Sequence, residues 1–225
     1  MSAPSCQHRL EWQSTGGNRV SRSSGQWFER HVNDVHVKRA GAEGYRSRAV
    51  YKLQELDRRD RLILPGSVVL ELGAAPGGWT QYVSERAGER GRVVASDLLD
   101  VDPVAGMTFV QGDFTEQVTA DRIVAALGED GADLVLSDMA PNLTGVSGTD
   151  QARSMALAEL ALDMAVGVLK PGGSLAMKVF QGEGFETFVK ALRQHFRGVK
   201  IRKPDASRSR SREVYLVAVD FSGGR

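Results

Sequence analysis

From residue 62 onward the sequence alternates short β-rich runs with helical ones, and this alternation restricts the fold more than any other feature. VVLEL (68–72), RVVAS (92–96), MTFVQ (107–111), DLVLS (133–137), SLAMKVF (174–180), VKI (199–201) and EVYLVAV (213–219) have the β-branched, apolar character of strands. Helical patterns fall between them near 77–88, 116–127, 151–169 and 184–197. Each return from strand to parallel strand needs a crossover, and each sheet face needs apolar cover, so the expected fold is α/β: a mostly parallel seven-stranded sheet with helices on both faces. The last two strands depart from the rule. KPDASRSRSR joins them without a helical pattern, which predicts an antiparallel C-terminal hairpin.

Residues 1–25 are rich in Ser, Gly and Arg and read as a flexible N-terminal tail. Two helical stretches follow at about 26–39 and 47–60, the second carrying Ala49, Leu53 and Leu56 on one stripe. The predicted organisation is thus a tail (1–25), basic N-terminal helices (26–61) and the alternating domain (62–225), with no internal repeat. Cys6 is the only cysteine, which excludes a disulfide scaffold and a cysteine-rich zinc site. No run of 18 apolar residues exists, the tail has no signal-peptide core, and Gly16-Gly17-Asn18 interrupts the amphipathic helix of a mitochondrial presequence. A cytoplasmic, metal-free monomer with no membrane attachment is expected.

The net charge of +1 conceals a segregation. Residues 1–61 hold 12 Lys and Arg against 7 Asp and Glu, residues 62–199 hold 10 against 18, and residues 200–225 hold 7 against 3. Two basic ends flank an acidic middle. If both ends fold to one face they make a basic patch suited to nucleic acid; the alternative is ordinary solvated surface.

Residues 71–82, ELGAAPGGWTQY, lie where the first strand gives way to a helix. Gly73, Gly77 and Gly78 permit a tight turn and close approach to a ligand, and Pro76 stiffens it. The spacing is neither that of a dinucleotide fingerprint nor that of a phosphate loop ending in Lys-Ser/Thr, so it suits a ligand without a pyrophosphate. Asp97 ends the second strand, where a carboxylate can accept both hydroxyls of a ribose. Asp113 follows the third strand in GDF, where it can accept an adenine amine, with Phe114 nearby for packing. An adenosine-bearing cofactor free of phosphate is S-adenosylmethionine. The turn taken alone could be only a tight turn; three acidic residues at successive strand ends argue for the cofactor.

The fourth strand ends in SDMAPN, which puts Asp138 at the same rim. Lys178 interrupts the apolar fifth strand, and a lysine is rarely buried without a partner. Glu213 opens the last strand, whose antiparallel direction brings its start to the rim where the others end. Topology therefore gathers Asp138, Lys178 and Glu213. Methyl transfer from a sulfonium is an in-line displacement that needs an oriented nucleophile. A ribose hydroxyl is a poor one, and a lysine whose pKa is lowered by desolvation or a second cation helps by taking its proton. Lys52 is the candidate second cation, although by itself it reads as a surface residue.

RSRAVYKLQELD, ELGAAPGGWTQY, SDLLDVDP, QGDF, SDMAPN, PGGSLAMKVFQGEGF and KPDASRSRSREVYLVA resemble, in order and spacing, the FtsJ/RrmJ family of RNA ribose 2′-O-methyltransferases over about residues 26–220. The likeness is strongest to bacterial members acting on a uridine of large-subunit (23S-type) ribosomal RNA. It implies a Rossmann-like class I S-adenosylmethionine-dependent methyltransferase, with ribosomal RNA or the large ribosomal subunit as partner. It also implies a catalytic tetrad of Lys52, Asp138, Lys178 and Glu213, in which Lys178 accepts the proton. Cofactor contacts carry over to Gly77, Trp79, Asp97, Asp113 and Asp138. Glu71 and Asp100 stand where family members have Asp and often Pro, and the N-terminal tail is longer than theirs. The helices before residue 62 and the hairpin arginines Arg208, Arg210 and Arg212 would flank an RNA cleft; as an isolated run, those arginines could be solvated loop. Competing readings are a transfer-RNA 2′-O-methyltransferase, a non-catalytic RNA-binding assembly factor, and a nicotinamide oxidoreductase, which the glycine spacing disfavours.

Overall fold

The computed structural model describes residues 34–141, 144–208 and 211–223. The tail, the first part of the expected 26–39 helix, Asn142 and Arg210 lie outside them. Helix α1 (Val35–Ala42) and helix α2 (Val50–Asp60) precede the sheet. Then come β1 (Val68–Leu72), α3 (Gly78–Ala87), β2 (Arg92–Asp97), β3 (Met107–Gln111), α4 (Gln117–Leu127), β4 (Ala132–Ser137) and α5 (Ser147–Val168). The chain closes with β5 (Leu169–Phe180), α6 (Phe185–His195), β6 (Phe196–Arg202) and β7 (Glu213–Phe221). The expected fold class holds: a seven-stranded sheet in the order β3-β2-β1-β4-β5-β7-β6.

Strands β1 to β5 run parallel, and β7 is antiparallel to both its neighbours, β5 and β6. The hairpin expected from the polar 203–212 connection is present, but its second strand lies inside the sheet, between β5 and β6. Alternate residues of the buried strands serve opposite faces. Leu70, Leu72, Val94 and Val135 meet α4, α5 and α6 through residues such as Ile123, Leu162 and Phe188. Val69, Val93, Leu134 and Tyr215 instead meet Leu53 and Leu56 of α2 and Trp79 and Val83 of α3. The stripe read from 47–60 is thus the seam that holds α2 to the sheet. Helix α2 stops at Arg61, which takes a left-handed conformation (φ 53°) and donates its N–H to the Asp57 carbonyl.

Helix α5 begins four residues earlier than expected. Asp150 in its first turn accepts hydrogen bonds from the Thr144 N–H (2.7 Å) and Gly145 N–H (3.0 Å), which secures the helix start. Among the described residues, no helix is long and apolar enough to cross a membrane.

Candidate active site

The chain winds outward from β1 through β2 to β3, then returns across β1 to β4 and β5. Ligands of such sheets bind beyond the carboxyl ends of the strands at this reversal. The β1–α3 turn occupies that place. Gly73 and Ala74 donate their N–H groups to the Ser96 carbonyl at 2.9 and 3.2 Å, which stitches the turn to the end of β2. Gly73 has φ +78°, and a β-carbon there would lie 2.4 Å from Met139 Cγ, so glycine lets the β4–α5 loop close over the turn. Gly77, with φ +100°, leads into α3, and a β-carbon there would lie 2.7 Å from Arg46 Nη1.

Asp97 and Asp113 sit at the ends of neighbouring strands. The Asp97 carboxylate accepts the Ala75 N–H on one oxygen and the Leu99 N–H on the other, each at 2.8 Å. Each oxygen keeps a lone pair for a further donor. Asp113 accepts the Thr115 N–H (2.9 Å) and Thr115 hydroxyl (2.7 Å) on one oxygen. Glu71, the penultimate residue of β1, is 2% exposed and accepts the Thr80 hydroxyl at 2.7 Å. Burial pushes its carboxyl up to about 8 against the Thr80 hydrogen bond, and the charges of Asp138 and Asp97 add to the rise. Carboxylates around a phosphate-free glycine turn fit a cationic sulfonium and an adenosine with ribose hydroxyls, and they oppose a phosphate.

Trp79 is placed differently from the other residues expected at the cofactor. Its ring is 3% exposed, the indole N–H donates to the Ala49 carbonyl at 2.7 Å, and the ring packs 5.9 Å from that of Tyr215. Its side chain therefore joins α2 to the core, and only its backbone, in the first turn of α3, is left to face a ligand.

On the other side of the reversal, Lys52, Asp138, Lys178 and Glu213 meet, although they come from α2, the end of β4, β5 and β7. Lys178 Nζ lies 3.0 Å from Asp138 Oδ1 and also donates to the Asp138 carbonyl. Lys52 Nζ lies 2.8 Å from Glu213 Oε1 and 4.0 Å from Asp138 Oδ1. Their side chains are between 9% and 17% exposed, so two cations and two anions share a largely desolvated pocket edge. Burial pushes the Glu213 carboxyl up, but the adjacent Lys52 charge, hydrogen bonds from Lys52 and Ser207, and the Lys178 charge together hold it below the usual carboxylate value.

Two members of this cluster escaped the sequence reading. Tyr215 donates its hydroxyl to Asp138 Oδ1 at 2.5 Å and is fully buried, with its pKa raised well above the ordinary value by burial and then by Asp138 and Glu213. Between Val214 and Leu216 it reads as one more apolar strand residue. The available signal was its two-residue spacing from Glu213, which puts both on one sheet face. Ser207 donates to Glu213 Oε1 at 2.8 Å. Its loop is held by Lys203, whose amine donates to the Ser211 carbonyl at 2.7 Å, and by Asp205 N–H to Glu55 Oε2 at 2.7 Å. Of the three hairpin arginines, Arg208 and Arg212 are exposed.

Sheet order, the glycine turn after β1 and the acidic ends of β2, β3 and β4 together define a Rossmann-like methyltransferase. A family model for FtsJ-like methyltransferases matches residues 45–221, and the chain belongs to that family. It is 59% identical to the ribosomal RNA large subunit methyltransferase E of Marinobacter nauticus over 201 residues, which cover 89% of this chain and 97% of that protein. The protein of the same name from Azoarcus sp. is 56% identical over 201 residues, 89% of this chain and 98% of the other. Among solved structures, a Plasmodium falciparum protein designated a ribosomal RNA methyltransferase superposes with a TM-score of 0.73 at 27% identity, over 80% of this chain and all of that one. Aeropyrum pernix fibrillarin, solved with S-adenosyl-L-methionine, shares the fold with a TM-score of 0.54 at 19% identity, over 78% of this chain and 75% of that one.

Proposed function

We propose that this chain transfers a methyl group from S-adenosylmethionine to the ribose 2′-hydroxyl of a uridine in large-subunit ribosomal RNA, in the cytoplasm and as a monomer. The large-subunit ribosomal RNA methyltransferases at 54–59% identity support the RNA class. The observation that carries the ribose chemistry is the cluster of Lys52, Asp138, Lys178 and Glu213 beside the glycine turn.

S-adenosylmethionine, when bound, supplies an electrophilic methyl on a positively charged sulfur. Asp97 holds the ribose of the cofactor, Asp113 its adenine amine, and the backbone of Gly77 and Trp79 the remainder, with Asp138 between cofactor and acceptor. Lys178, in its neutral form, takes the proton of the RNA 2′-hydroxyl, and Asp138 then stabilises the ammonium it becomes. Lys52 places a second positive charge at the same pocket edge, 4.0 Å from Asp138 Oδ1. Glu213 holds Lys52, and Ser207 holds Glu213. Residues 26–61 and the arginines of the hairpin grip the RNA backbone.

The decisive experiment offers labelled cofactor to purified large-subunit ribosomal RNA, large subunits and transfer RNA, and maps the product. Label on a ribose 2′-oxygen of a large-subunit uridine is expected. Label on transfer RNA alone, or on a base, overturns the proposal.

A further inference from the structure

A cavity of about 330 Å³ opens beside the charged cluster and has no part in the chemistry just derived. Its walls are Phe180 at the end of β5, Arg212 just ahead of β7, and Ser147, Asp150, Gln151 and Ser154 from the first two turns of α5. Strand register places its aromatic wall relative to the reacting groups. In the β5–β7 pair, Phe180 stands opposite Glu213 and Lys178 opposite Tyr215, so these four side chains share the sheet face that α2 and α3 cover. The α5 walls belong to the layer on the other face, so the cavity lies at the carboxyl end of β5, where the two layers part. Two residues along a strand advance about 7 Å. That is comparable with the span from a ribose 2′-oxygen to the base of the same nucleotide.

The lining suits a base. Phe180 is half-buried and offers an aromatic surface, and exposed Arg212 offers a planar cation. Gln151 is buried, and its amide donates to the carbonyls of Phe180 (3.2 Å) and Glu183 (3.0 Å), which fixes the turn that presents the phenyl ring. Among the described residues Gln151 Oε1, buried in the wall, has no hydrogen-bond partner, an acceptor of the sort that an ordered polar ligand or water satisfies. The remaining charge is negative. The Asp150 carboxyl is held below its usual value by the Thr144 N–H, the Thr144 hydroxyl and the Gly145 N–H. A carboxylate in the wall repels a phosphate but tolerates a neutral heterocycle carrying N–H donors.

We propose that this cavity is the nucleobase subsite: the base of the nucleotide being methylated stacks on Phe180 within it, and its 2′-hydroxyl is thereby delivered to Lys178. Arg212 lies at the edge, against the base or the adjoining phosphate. The inference rests on the reading of the chain as an RNA ribose methyltransferase and adds the residues that would seat the acceptor nucleotide.

Its test is steady-state methyl transfer to purified large ribosomal subunits and their RNA by the full chain, with cofactor affinity measured separately by calorimetry. Base stacking on an aromatic side chain is worth enough to predict that Phe180→Ala raises the RNA KM or lowers kcat/KM by about tenfold or more. Phe180→Tyr should retain activity, and cofactor affinity should stay within about twofold in both. Ser147→Trp, at an exposed position on the cavity lip, should obstruct the base with the same signature and does not depend on removing a packed ring. Wild-type kcat/KM for RNA in both Phe180→Ala and Ser147→Trp overturns the subsite. So does an equal loss of cofactor binding in a folded Phe180→Ala, which would assign the ring to the cofactor. Should Phe180→Ala not fold, Ser147→Trp alone decides. A wild-type protein that methylates no ribosomal RNA is a different failure, that of the functional reading itself.

Discussion

In the proposed reaction Lys178 is the residue on which the chemistry turns, and its neighbours make that role separable from binding. Lys178→Ala should abolish methyl transfer while cofactor affinity, read by calorimetry, stays within a few-fold; unchanged turnover would remove it from the mechanism. Asp97→Ala should have the opposite signature, a raised cofactor dissociation constant, because it loses both the proposed ribose acceptor and the support of the Ala75 N–H. Glu71 gives a pH prediction. Its folded carboxyl titrates at about 8 against an ordinary value of 4.5, so the folded protein keeps a proton that the unfolded chain releases. Its contribution to stability is full below about 4.5 and declines as pH rises towards 8. Glu71→Gln keeps an acceptor for Thr80, so its thermal midpoint should vary less than wild type across that interval. A parallel decline in the variant would assign the pH dependence to other groups. At this scale the sequence was informative where a residue broke its local pattern. Lys178 interrupts an apolar strand, and Asp97, Asp113 and Asp138 follow strand ends. Tyr215 was not legible, since an aromatic in an apolar run looks the same whether it serves the core or the site, and the inward direction of the Trp79 ring depends on Ala49 of a distant segment.

The elements were legible because their physics is local. Buried parallel strands read as apolar runs, and amphipathic helices as stripes. Less so were the positions set by tertiary contacts. The insertion of β7 between β5 and β6 follows from pairing on both edges, which neither strand's composition encodes. The 203–212 connection looked like a polar linker, yet it is tied down by Lys203, Ser207 and Asp205, and it delivers Arg212 to the cavity. Asp60 extends that anchoring, with its carboxylate accepting two hydrogen bonds from Arg202 (2.8 and 2.7 Å) and one from Lys200 (2.8 Å). Asp60→Ala should loosen β6 against α2. Faster amide exchange in β6, with β1 and β4 unchanged, is the expected signature; uniform protection would show that the clamp is dispensable.

For the whole molecule, the charge segregation has a measurable consequence. On the proposed function, the acidic middle supplies the carboxylates of the cofactor site, and the basic ends of the sequence supply the charge for RNA. Association with RNA should weaken steeply with salt, and Arg208→Gln with Arg212→Gln should flatten the logarithmic salt slope by about two, one for each phosphate that is no longer neutralised. An unaltered slope would place both arginines outside the RNA interface. The inserted strand bears on how the protein is made. Glu213 opens the last strand to emerge during synthesis, and that strand must enter between two already translated ones. A nascent chain can assemble the glycine turn and the ends of β1 to β4 well before it owns Glu213 or Tyr215. It gains the full charged cluster only when the sheet closes, so on the proposed mechanism competence for chemistry arrives together with completion of the fold.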